Sequence, residues 1–202
     1  MAPETRSRIV ALALVIGGVW AVSLVALGYG DALIYRLALV PRRIDGLPGV
    51  VAMPFVHGSF GHLMSNTIPL LVFGAFLLLR GVRYYVAISL AIVVLGGVLL
   101  WMFGREAAHI GASGVVFGYF GFLVTRGVYE RSLQAVAVAV VVVVLYGGMI
   151  FGVLPGAAGV SWDGHLTGFV AGIVVARLAF GMASRRTHQP ATPVSETDGH
   201  RQ

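Results

Sequence analysis

The feature that most constrains this chain is a succession of apolar runs from which charge is nearly absent. The first, Ile9 to Gly28, contains no ionisable side chain and follows Arg6 and Arg8. A bilayer's hydrocarbon core, about 30 Å thick, takes about 20 apolar residues to cross as a helix. Further runs follow at Phe60–Leu79, Tyr84–Phe103, Ala112–Val124, Leu133–Phe151 and Gly164–Met182. With 58% hydrophobic and only 11% charged residues, the chain has too little charge to clothe a soluble domain of 202 residues. The pattern predicts an all-α polytopic membrane protein with six transmembrane helices. No small-x-small cleavage pattern closes the first run and more spans follow it, so it reads as a helix rather than a signal peptide. Residues 1–183 form one membrane domain on this reading. Residues 184–202, polar and carrying Pro190 and Pro193, are expected to form a disordered tail.

Six spans put both termini on one side, and the basic residues say which. All fourteen are arginine. Ten fall on the side of the termini and four, Arg36, Arg42, Arg43 and Arg105, on the other, which predicts cytoplasmic termini. The net charge of +6 is thus an orientation record. No dense basic run with interleaved aromatics points to nucleic acid. Cysteine is absent, which removes disulfide and thiolate chemistry.

The fourth run is short. Thirteen helical residues cover about 20 Å, so this span is expected to begin below the membrane surface, with the preceding loop dipping inward. Irregular backbone at that depth persists where protein surrounds it or where it lines a wet cavity. Ser113, at the start of the run, is therefore expected on the floor of a depression.

Polar side chains inside apolar spans are costly and point to function. Four stand out: His62 and Asn66 in the second span, Ser113 in the fourth and His165 in the sixth. The predicted topology puts all four at the non-cytoplasmic ends of their helices. His62 and Asn66, four apart, share a helix face. His165 lies in Gly164-x-x-x-Gly168-x-x-x-Gly172, a ridge of small residues that lets helices approach closely. Gly114, Gly118 and Gly121 offer a second such surface beside Ser113. Two glycine-faced helices packed together would allow a histidine nitrogen to reach a serine oxygen. Serine becomes a nucleophile when a base takes its proton, and a histidine suits that task. Asn66, His62 and amides near Ser113 are candidate donors to an oxyanion. His57 holds the first loop or touches substrate, and His109, in the third loop, is expected to be solvated.

These residues carry a family resemblance. "HGSFGHLMSN" (His57–Asn66), "GASGVVFGYFG" (Gly111–Gly121) and "GHLTGFVAG" (Gly164–Gly172) resemble, in order and spacing, the three signatures of the rhomboid intramembrane serine proteases. The likeness covers Phe55 to Ala179 and implies a six-helix rhomboid-like bundle with a short central fourth helix. It implies a Ser113–His165 dyad with no acidic third member. An oxyanion site of His62, Asn66 and the Ser113 amide is implied too, with Gly111 and Gly114 in support. Phe117 falls where the family places an aromatic ring against the catalytic histidine. The implied activity is a serine endopeptidase that cuts single-span membrane proteins in or near their helices. No metal or cofactor is implied, and the expected setting is a bacterial or archaeal cell membrane. The chain departs from the family in its first loop, where "GLPGVVAMPFVH" (Gly46–His57) lacks the usual Trp-Arg pair.

Other chemistries fare worse. "GYGD" (Gly28–Asp31) fits the string of intramembrane aspartyl proteases, but the comparable second aspartate, Asp163, follows tryptophan rather than tyrosine. The H-E-x-x-H of membrane metalloproteases is absent, and G-A-S-G-V is not a hydrolase elbow. A transporter using His165 as a proton relay would call for repeat symmetry or paired broken helices, and only one short span is found. A non-catalytic relative would have lost the serine or the histidine, and both are present.

Overall fold

The computed structural model describes residues 2–156 and 159–187. Eight α-helices are found among them: α1 (Pro3–Tyr29), α2 (Asp31–Leu37), α3 (Gly49–Ala52), α4 (Phe60–Leu78), α5 (Val82–Phe103), α6 (Ser113–Glu130), α7 (Leu133–Tyr146) and α8 (Trp162–Thr187). A 3-10 segment, Gly147–Val153, prolongs α7. Five helical segments are long and apolar enough to cross a membrane: α1, α4, α5, α7 with its extension, and α8. The sixth, α6, lies at the centre, with most of its residues buried. The chain is an integral, multi-pass membrane protein.

Two expected boundaries move. The fourth span ends at Glu130 rather than Val124, so α6 has 18 residues and a length of about 27 Å. Arg126, which closes the apolar run in the sequence, is only 1% exposed. Its Nε donates to Glu130 Oε2 at 2.7 Å, and Arg80 Nη2 donates to Glu130 Oε1 at 2.8 Å. Paired charges can stay inside the bundle, so the helix continues past them. The other end of the chain also differs, since α8 runs to Thr187. Residues 188–202, within the expected tail, lie outside the described residues.

The long first connection is more ordered than its mixed composition suggests. Besides α2 and α3 it holds 3-10 turns at Ile44–Gly46 and Met53–Phe55. It is fastened to the far end of α5: Arg42 Nη1 donates to the Gly104 carbonyl at 2.7 Å, and Trp101 Nε1 donates to the Arg43 carbonyl at 2.9 Å. Leu39 and His109 exchange backbone hydrogen bonds of 3.0 and 2.8 Å, which tie this connection to the loop before α6. These bonds anchor the loop without a Trp-Arg pair in Gly46–His57.

The closest helix pair is α6 against α8. A Cβ at Gly168 would overlap the Gly114 carbonyl, and one at Gly172 would overlap the Gly118 carbonyl. Only glycine permits that approach. Because Gly114 sits level with Gly164 and Gly168, α6 starts roughly a turn deeper than α8, which begins at Trp162.

Candidate functional site

Each helix that contributes to the site is started by a defined local device. Ser59 caps α4, its Oγ accepting the His62 N–H at 3.1 Å, which fixes the turn bearing His62. Ser161 caps α8, accepting the Gly164 N–H at 3.2 Å one residue before His165. By contrast, α6 has no side-chain cap, so the N–H groups of its first turn lack intrahelical partners. Gly111 leads into it at φ +104°, where a Cβ would lie 2.6 Å from the His62 ring and 3.5 Å from Asn66 Nδ2. Glycine is required there twice over, by the backbone conformation and by the space.

His62, Asn66, Ser113 and His165 line one open cavity of about 590 Å³. Four side chains from three helices, distant in sequence, thus share one chamber. Among the described residues no hydrogen bond joins Ser113 to His165. The histidine is held instead by two other groups. The Phe117 ring stacks on the imidazole, centroids 4.2 Å apart and planes 8° apart. His165 Nδ1 lies 2.9 Å from the Gly152 carbonyl. A carbonyl only accepts, so Nδ1 carries the proton and Nε2 keeps its lone pair. Asn66 is 6% exposed, and its Nδ2 is buried with no partner among the described residues. A buried unpaired donor is costly, and such groups call for an explanation.

His57, whose role the sequence left open, does not line this cavity. It is fully buried, and its bonds form a determinate chain. The Ala112 N–H donates to Nε2 at 3.3 Å, so Nδ1 is the protonated nitrogen and donates to Ser23 Oγ at 2.8 Å. Ser23 in turn donates to the Phe55 carbonyl at 2.8 Å. Burial, with the neighbouring His62 adding to it, pushes the His57 pKa down to about 4. The imidazole therefore stays neutral near pH 7 and ties α1 and the first connection to the residue before Ser113.

His109 is not solvated, contrary to expectation. It is 2% exposed because its polar atoms are met inside the protein. Nε2–H donates to the Arg105 carbonyl at 3.0 Å, and Nδ1 lies 2.7 Å from Ser161 Oγ. Nearby Asp163 accepts from the Arg105 backbone N–H at 2.8 Å and from its guanidinium at 3.2 and 3.3 Å. This carboxylate pairs with an arginine and not with a second carboxylate. Sequence reasoning missed this cluster and the Gly152 carbonyl, since both depend on partners more than ten residues away. Pro69 was not singled out from the sequence either, although proline inside an apolar run is a readable signal: lacking an N–H, it leaves the Ser65 carbonyl without its helical donor, and both residues line the cavity.

The sequence model of the Rhomboid domain family matches residues 46–182. The chain belongs to the rhomboid family. An uncharacterized protein of Mycobacterium tuberculosis is 39% identical to this rhomboid over 181 residues, covering 81% of this chain and 75% of its own. One from Mycobacterium leprae is 33% identical over 192 residues, covering 87% of this chain and 75% of its own. RHOMBOID-like protein 4 of Arabidopsis thaliana is 29% identical over 168 residues, 76% of this chain and 41% of its own. The matched region of the rhomboid contains every residue that lines the cavity.

Proposed function

We propose that this rhomboid is an intramembrane serine endopeptidase, with Ser113 as nucleophile and His165 as general base. The observation that carries the reading is the convergence of Ser113, His165, Asn66 and His62 on one open cavity. His165 Nε2, the nitrogen with a free lone pair, takes the Ser113 Oγ proton as the oxygen attacks a substrate carbonyl. The same nitrogen returns that proton to the leaving amine, giving an acyl-enzyme that water hydrolyses by the reverse sequence. The Gly152 carbonyl holds the tautomer, a task that a buried aspartate performs in the three-residue arrangement. Catalytic hydrogen bonds are often long before substrate binds, so an unpaired Ser113 is compatible with the chemistry.

The oxyanion is stabilised by Asn66 Nδ2, His62 and the N–H groups at the start of α6, whose helix end carries partial positive charge. The unpartnered Nδ2 supports this role, since a donor already bonded would have to be released first. Substrates are single-span membrane proteins, unwound locally so that a peptide bond enters the cavity. The arginine distribution supports cytoplasmic termini and a cavity opening to the opposite side, in a bacterial or archaeal membrane.

Cleavage of a single-span reporter tests the reading. Ser113→Ala and His165→Ala should abolish it, and Asn66→Ala should leave activity about 10²–10³-fold lower. Undiminished cleavage by the serine variant would end the proposal, whatever the others do.

A further inference from the structure

Behind the first turn of α6, opposite Ser113, lies a second recess of about 240 Å³. Its walls come from α1, α4, α5, α6 and the first connection. Val19, Leu70, Val115 and Tyr119 form the inside, each less than 8% exposed. The rim is different: Val51, Val86 and Leu90 are 55, 43 and 60% exposed. Val86 and Leu90 lie on α5, a membrane-spanning helix, so the mouth opens toward lipid and not toward water.

Of the three hydroxyls in the lining, those of Ser89 and Tyr119 are committed, and the Tyr85 hydroxyl alone has no partner among the described residues. Ser89 Oγ donates to the Tyr85 carbonyl at 2.6 Å, and so it accepts from Tyr119 OH at 2.6 Å. A water molecule needs two to four polar partners to be held in a cavity. The lining, almost wholly apolar, does not provide them. Apolar cavities of about 150 Å³ in other proteins stay dry and take up hydrocarbon-like guests. This one is larger, and the liquid at its mouth is hydrocarbon.

We propose that the recess holds the end of a phospholipid acyl chain, which packs behind α6 against Ala112 and Val115. Ala112 lines this recess and Ser113 lines the catalytic candidate cavity, so the chain end lies one residue from the proposed nucleophile. The binding site stands whether or not the protein is a protease. It makes a bilayer lipid a filler of the fold.

The test is photolabelling of the full chain in vesicles of phosphatidylethanolamine and phosphatidylglycerol. A trace of the phosphatidylglycerol carries a diazirine near the methyl end of one chain, and adducts are mapped by peptide mass spectrometry. The expected result is adducts on the buried wall, at Val19, Leu70 or Val115. Val93→Trp, which fills the recess, should lower these adducts about tenfold, as should Leu90→Trp at the mouth. Adducts on exposed Val140 and Val144 of α7 should not change, which also reports that each variant is folded. Labelling confined to Val51, Val86 and Leu90 in the unmodified chain would overturn the proposal. So would wall adducts undiminished by both tryptophans.

Discussion

His57 shows how much one neutral imidazole can organise. It accepts from the Ala112 N–H and donates to Ser23, so protonation would set two donors face to face at Nε2. With a pKa near 4 in the folded protein and about 6.5 unfolded, the unfolded chain binds the extra proton first as pH falls. The contribution of His57 to stability is therefore undiminished above pH 6.5 and is lost between 6.5 and 4, by about 3 kcal/mol. Thermal unfolding followed by circular dichroism should show a lower transition at pH 5 than at pH 7.5. In His57→Gln the difference between the two pH values should shrink. An identical pH dependence in both proteins would contradict this account. The histidine itself was visible in the sequence, but its partners Ser23 and Ala112 were not, since neither is near it in the chain.

Among the elements, the pair α6 and α8 sets the site. The sequence made their meeting legible, because Gly114, Gly118 and Gly121 face Gly164, Gly168 and Gly172 at helical spacing. The structure adds the register: a Cβ at Gly168 or Gly172 would strike a carbonyl of α6. Backbone cannot move aside as a side chain can. Gly168→Ala and Gly172→Ala should each destabilise the protein by about 1–3 kcal/mol or more. Gly148→Ala, with open space around it, should cost much less. Melting temperatures in detergent measure the contrast, and equal values for the three variants would refute the packing argument. The end of α6 was misread for a related reason. Arg126 looks like a loop residue until Glu130 and Arg80 are seen beside it, and Arg80 comes from the turn that follows α4, far away in the chain. His109 was misplaced in the same way, its burial depending on Ser161.

On the scale of the whole molecule, apolar runs and polar residues of matching depth carried the fold through the sequence. The first connection did not come through, because its short helices and its bonds to Gly104 and Trp101 leave no periodic signal. Orientation can be checked cleanly, since the chain has no cysteine of its own. A membrane-impermeant maleimide should label Arg36→Cys in intact cells or right-side-out vesicles, and Arg131→Cys only after permeabilisation. Both side chains are exposed, so access is set by the side of the membrane. The reverse pattern would turn the cavity toward the cytoplasm. The central claim, that His165 activates Ser113 in the shared cavity, is tested most directly by fluorophosphonate labelling followed by peptide mass spectrometry. An adduct is expected on Ser113 in the unmodified protein and none on that residue in His165→Ala. An unlabelled Ser113 in a folded protein, or one labelled equally well without His165, would contradict that claim.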